Sequence, residues 1–160
     1  MKTDVVKVNN PKNYNLIFGQ SHFIKTVEDL HEALVSAVPQ IQFGLAFCEA
    51  SAAYLVRTSG TSPELEKLAA DNALAVGCGH SFFIFLDNAY PINVLLAIKN
   101  VAEVVTVFCA TANPVEVIVA RTKQGGAVLG VVDGGSPVGL EGKKERLGRQ
   151  KFLRKIGYKF

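Results

Sequence analysis

The sequence predicts an α/β protein, a three-layer α-β-α sandwich built around a mixed sheet. Three observations predict it. Helix-period segments alternate with short strand-like runs along the chain. The run "SFFIFL" (81–86) shows no polar alternation, as expected of a central strand covered on both faces. Gly, Pro and Asn punctuate the junctions.

The segments "TDVVKV" and "YNLIFGQ" read as strands separated by the turn-forming "NNPKN". "TVEDLHEALVSAVP" reads as a helix, because Val27, Leu30, Leu34 and Val38 recur at helical spacing and Thr26 with Asp29 resembles a capping box. "IQFGLAFCEA" and "AYLVRTSG" are strands joined by the short link "EASA". Ser62 caps a second helix with Pro63 at its first position, and Gly77 stops it. "SFFIFL" follows, then a third helix from Pro91, the strand "EVVTVFCA", and a hairpin of "PVEVIVARTK" and "AVLGVVD" across "QGG". A Gly-rich stretch leads to a basic helical tail from about residue 141. No repeat or linker divides the chain, so one domain over 1–160 is expected.

Connectivity turns this order into a map. Helical crossovers predict that strand 14–20 pairs in parallel with 41–48, 53–58 with 81–86, and 81–86 with 104–110. "EASA" is too short for a crossover and makes 41–48 and 53–58 antiparallel. One sheet edge then collects His80, Gln20, Ser21, His22, Glu49, Ser51, the "QGG" turn and the start of the first helix. The opposite edge collects Arg57, Asp87, Tyr90, Asn93, Thr111, Asn113 and Asp133.

Composition excludes several classes. With 49% hydrophobic and 19% charged residues the chain is globular rather than disordered. No apolar run reaches bilayer length, and the start of the chain lacks a signal-like core, so a cytoplasmic protein without a membrane partner is expected. Cys48, Cys78 and Cys109 lie in apolar segments without C-x-x-C spacing, which points to buried small hydrophobes rather than zinc ligands or disulfides. No metal site and no prosthetic group are expected. From Glu141 onward there are eight basic and two acidic residues, against nine basic and twelve acidic before it. Without a nucleic-acid motif, nucleic acid is the least favoured partner. The tail instead reads as a solvated helix whose Leu147, Phe152, Leu153 and Ile156 pack on the body.

The His80 edge carries the chemistry. Neutral imidazole is a nucleophile and base near pH 7. Gly79 removes a side chain beside it and leaves room for a tetrahedral group. A helix N-terminus offers free N–H groups and partial positive charge to phosphate. Glu49 could fix the imidazole tautomer, and Gln20, Ser21, His22 and Ser51 add hydrogen-bonding groups. The bland alternative is a histidine that caps a strand end. His31, beside Glu32, reads as a surface residue. Neither a G-x-x-x-x-G-K-[ST] loop nor a strand-linked G-x-G-x-x-G is present.

The stretches "NLIFGQSHFIKTVEDLHEAL", "FGLAFCEAS", "GHSFFIFL", "AYPINVL", "CATANPVEVIV", "LGVVDG" and "IGYK" resemble the adenosine-specific kinase family of prokaryotes, over nearly the whole chain. The resemblance implies an α/β subunit in a homo-oligomer, a trimer or hexamer, that binds adenosine or AMP. It also implies a phosphorylatable histidine, which "GHSF" matches to His80. Asp133 would accept from a ribose hydroxyl, with Asn93 and Asn113 as further ligand-binding positions. The phosphoryl donor and any Mg²⁺ requirement stay open. The alternative is a non-catalytic adenosine/AMP-binding sensor. In one departure, the family's basic residue after the hairpin-turn glycine is replaced here by Gly126. Lys25, Lys123 and Arg146 are the candidate substitute cations.

Overall fold

The computed structural model describes residues 1–160. The elements are β1 (Lys2–Lys7), β2 (Asn15–Ser21), α1 (Thr26–Ala37), β3 (Phe43–Cys48), β4 (Val56–Gly60), α2 (Pro63–Val76), β5 (Ser81–Leu86), α3 (Pro91–Lys99), β6 (Val104–Thr111), β7 (Val115–Arg121), β8 (Gly126–Asp133) and α4 (Lys143–Lys155). Capping sets several of these boundaries. Ser62 Oγ accepts from Leu65 N, Pro63 opens α2, and Gly77 closes it in the left-handed region at φ 57°. Asn93 Oδ1 accepts from Tyr90 N at the start of α3.

The expected mixed sheet is not present. The strands form a five-stranded sheet in the order β4-β3-β5-β2-β6 and a three-stranded sheet in the order β1-β7-β8, and every named strand pair is antiparallel. The predicted strand directions hold: β4, β5 and β6 run one way, and β2 and β3 the other. The predicted neighbours do not. Each helical crossover skips a position, which an oppositely directed strand fills: β3 separates β4 from β5, and β2 separates β5 from β6. The strand 115–121 pairs with β1 and β8 instead of β6, in the second sheet.

Two apolar cores flank the large sheet. On one face Val27, Leu30 and Leu34 of α1 and Val94 and Ile98 of α3 pack on Ile17, Phe47 and Phe82. On the other face Leu65, Ala69 and Ala73 of α2 share a core with Val115, Val117 and Val119 of the small sheet. The second outer layer is therefore part helix and part sheet, which departs from the simple sandwich expected. Phe18 stacks on Phe83 with centroids 4.4 Å apart at the heart of this core. The backbone of α2 closes directly on β3 at Gly44, where an added Cβ would lie 2.0 Å from Leu65 C.

Two further expectations are corrected. His31 is half-buried, bonded to Ser59 Oγ at 2.7 Å and set edge-on against Phe43. The tail does not pack on the body: no residue of α4 is buried, and it enters neither core. No helix is long and apolar enough to cross a membrane.

Candidate functional site

The start of β5 holds the site by its backbone. His80 N donates to Cys48 O at 2.8 Å, and His80 O accepts from Ser21 N at 2.9 Å, so the residue ties the ends of β3 and β2 together. Ser81 N and Ser81 Oγ both donate to Cys78 O, at 3.2 and 2.7 Å, closing a turn through Gly79 and His80. His80 occupies the left-handed region of that turn at φ 64°. Glycine is the usual residue there, because a Cβ crowds the backbone. Imidazole in such a position is a local strain that the surrounding bonds hold in place.

The imidazole is half-buried and stacks on Phe47, with centroids 5.8 Å apart and planes 13° apart. Phe47 belongs to the core beneath α1 and α3, so the ring sits on the α1 side of the sheet. The N-terminus of α1 opens at the same edge, and no side chain caps it. The expected capping box is absent: Thr26 is buried and bonds inward to Ser21 Oγ and Phe23 O, while Asp29 pairs with Lys25 Nζ at 2.7 Å.

On the α2 side of the edge lies a cleft of about 590 Å³. Its walls are the 49–55 loop, the end of α2, Cys78 and Gly79, and the β7–β8 turn from Thr122 to Ala127. A backbone bridge between Cys78 and Gly126 brings the turn to this edge, although β7 belongs to the other sheet. The edge thus has two sides, with His80 and the α1 terminus on one and the cleft on the other. The expectation had merged them.

The expected ligand groups have varied placements. Ser21 is fully buried and its hydroxyl donates to Glu103 O at 3.0 Å, which removes it from ligand contact. His22 is exposed, with its N–H on Glu103 O. Gln20 is half-buried opposite Ser81, and Ser51 is exposed in the loop. Gly79 lines the cleft, but the space beside it is taken: an added Cβ would lie 2.9 Å from Ala50 Cβ. The glycine admits the loop rather than a tetrahedral group.

Glu49 is committed elsewhere. Oε1 accepts from Arg57 Nε at 2.7 Å and from Nη2, and Oε2 accepts from Leu55 N at 3.0 Å. The Leu55 N–H first, and then Arg57, hold its carboxyl below the ordinary value. Arg57 Nη1 also donates to Ile24 O at 3.0 Å, joining the loop to the approach of α1. Arg57 was expected at the opposite edge. The strand begins at Val56 rather than residue 53, which puts Arg57 at its start and on the His80 edge.

Sequence reasoning missed three residues here. Phe47 reads as an ordinary core aromatic, and only its stacking with His80 marks it. Glu103 has a buried Oε1 with no partner, and nothing in "VAEVV" signals that. Arg121 fills the space beside Gly126: an added Cβ there would lie 2.7 Å from Arg121 Nη1 and 2.9 Å from Cys78 Sγ and Gly77 O. Its Nη1 donates to Gly77 O and its Nε pairs with Asp4 at 3.5 Å. Of the cations weighed from sequence, Lys25 pairs with Asp29, Arg146 approaches Glu141, and Lys123 in the turn has no ion-pair partner.

The opposite edge is separate. Six residues of β5 span roughly 20 Å at ~3.3 Å each. Asn113 Nδ2 donates to Asp133 Oδ1 at 3.2 Å there, and Asn93, inside the first turn of α3, accepts from the N-cap Tyr90 N. A hollow of about 410 Å³ beside them is lined by Asn9, Asn10, Asn13 and Asn113 among others. All three cysteines are buried, and burial pushes their thiols up, Cys109 to about 11.

A search among curated proteins returned no match. Among solved structures the chain is similar to the PH1918 protein from Pyrococcus horikoshii OT3, at 46% identity and a TM-score of 0.95, covering 99% of this chain and 98% of that one. Residues 6–159 match the sequence model of the family described as adenosine specific kinase. With that match spanning nearly the whole chain, this protein belongs to the adenosine specific kinase family.

Proposed function

We propose that this protein binds adenosine or AMP and transfers a phosphoryl group through His80. The family supplies the nucleoside. The observation that carries the histidine is its left-handed backbone at φ 64°, pinned between β2 and β3. A strained non-glycine residue held by its surroundings is a mark of functional sites. The uncapped α1 N-terminus on the imidazole side supplies N–H donors suited to phosphate.

In the direction from AMP, an imidazole nitrogen attacks phosphorus, a P–N bond forms and the P–O bond to the ribose breaks. The ribose oxygen takes a proton and adenosine leaves; the reverse step makes AMP from adenosine. His80 is the nucleophile in this reading. Ser21, His22 and Gln20 shape the edge around it, and Glu49 holds the loop over the cleft through Arg57. Asn93, Asn113 and Asp133 contribute to ligand binding only if a neighbouring subunit presents them, which fits a homo-oligomer.

Mass spectrometry under neutral and acidic conditions tests this. Phosphate that is lost in acid and absent from His80→Ala is the expected result. Phosphate that persists in the variant overturns the reading.

A binding-only sensor is favoured by one observation, the placement of cleft and imidazole on opposite sides of the sheet edge. Calorimetry with adenosine and AMP, paired with a turnover assay, separates the two. Tight AMP binding with no product selects the sensor.

A further inference from the structure

Four of the six non-glycine residues at positive φ lie at the His80 edge. His80 is one. Ala52 and Tyr54, at 57° and 55°, belong to the 49–55 loop over the cleft, and Phe23, at 100°, belongs to the approach of α1. Strain of this kind persists only where the surroundings hold it. The loop is held at its neck. Glu49 N donates to Leu55 O, and Leu55 N donates to Glu49 Oε2, both at 3.0 Å. The approach has less to hold it. The hydrogen bonds of residues 23–25 are local, to Thr26 and Asp29 of α1, except the one that Arg57 Nη1 gives to Ile24 O at 3.0 Å. Just beyond, the amides of Val27 and Glu28 find no acceptor in the chain.

Arg57 thus grips both strained segments with one planar group. Its Nε and Nη2 hold Glu49 Oε1, and its Nη1 holds Ile24 O. The ion pair is largely withdrawn from water, with side-chain exposures of 32% and 12%. Such charge-assisted bonds are stronger than neutral ones, and a lysine ammonium has no fixed fork with which to make them in two directions.

We infer that Arg57 is a positioning residue that couples the two sides of the edge: a nucleoside in the cleft orders the start of α1 for phosphate, and phosphate there orders the cleft for the nucleoside. This rests on the adenosine binding and phosphoryl chemistry proposed above, with the cleft as the nucleoside's place. A volume of about 590 Å³ suits a small ligand. Tyr54 and Leu55 on its wall are exposed apolar ground that a flat base covers, and covering them fixes the loop. Through Glu49 and Arg57 the fixed loop fixes Ile24, two residues before α1 begins. The second ligand then meets a segment that the first has already ordered, which is positive cooperativity without a large rearrangement. The clamp joins the cleft to the imidazole side, which the sheet edge otherwise separates.

Calorimetry on the full chain tests this with two probes. One is inorganic phosphate, and the other is 5′-deoxyadenosine, which lacks the hydroxyl that would accept a phosphoryl group. Each is titrated with and without a saturating amount of the other. Linkage requires that each tighten the other by the same factor, expected to be about fivefold or more in the wild type. Arg57→Lys keeps the charge and is expected to bind both probes independently of each other. Glu49→Gln weakens the loop side of the fork and is expected to reduce the factor as well. Thermal melts establish that each variant is folded, and Glu49→Gln carries the test if Arg57→Lys is not. Hydrogen exchange supplies a second readout. The amides of Val27 and Glu28 are expected to slow on addition of 5′-deoxyadenosine in the wild type and not in the variants. Wild-type probes that bind independently, or a factor that keeps its wild-type value in a folded variant, overturn the coupling and leave the proposed chemistry standing. A wild type that fails to bind one of the probes overturns both.

Discussion

The imidazole of His80 lies flat against the phenyl ring of Phe47, with centroids 5.8 Å apart and planes 13° apart. Phe47 is 2% exposed, so the stack holds an otherwise half-free ring in one orientation. Phe47→Leu is expected to cost about 1–2 kcal/mol, because it keeps most of the apolar bulk and leaves only a small void. Phe47→Ala is expected to cost about 3–5 kcal/mol from transfer and cavity. Chemical denaturation measures both. If the stack positions His80, Phe47→Leu also lowers acid-labile phosphate by a larger factor than it lowers the folded fraction.

The backbone at His80 separates two effects of replacing it. Both His80→Ala and His80→Gly remove the imidazole, but only glycine relieves the left-handed strain at φ 64°. The glycine variant is expected to be about 1 kcal/mol more stable than the alanine variant. Equal thermal midpoints would contradict the strained backbone. Neither variant is expected to retain phosphate.

Glu49 and Arg57 make one end of the site sensitive to acid. The folded carboxyl sits below its ordinary value of 4.5, first through Leu55 N–H and then through Arg57. A depressed carboxyl contributes stability above its unfolded value and loses it as pH falls through the folded one. Glu49→Gln is therefore expected to lower the melting temperature at pH 7. The gap to wild type should narrow steadily below about pH 4.5. A gap that stays constant down to pH 2.5 would contradict the pairing.

Gly44 tests the packing of α2. An added Cβ there would lie 2.0–2.2 Å from backbone atoms of Leu65 and Glu66, which cannot move aside as a flexible side chain can. Gly44→Ala is expected to cost about 3 kcal/mol or more. Gly125→Ala in the hairpin turn meets nothing within 4 Å and is the matched control.

The cysteines are expected to be silent in the native protein. All three are buried, and desolvation raises each thiol. A thiol-specific reagent at pH 8 should label none of them quickly and all three after unfolding. Fast labelling of Cys78 in the folded state would mean that the cleft floor opens.

The sequence by itself determined element types, the strand directions of the large sheet and the meeting of the β2 and β3 ends at the start of β5. Those follow from local physics: hydrophobic period, caps at Ser62 and Gly77, and a link at "EASA" too short to cross a sheet. Only the tertiary structure decided the neighbours. Periodicity reports how buried a strand is but not which strand covers it, and a helical crossover can skip one position as readily as none. One signal for the second sheet was present: "VEVIVA" in β7 alternates, buried and exposed, where β3 and β5 are buried throughout. Side-chain direction was likewise beyond the sequence. His80 turns toward Phe47, Ser21 turns inward, Glu49 turns to Arg57, and α4 stands clear of its own body, because each choice depends on partners distant in the chain.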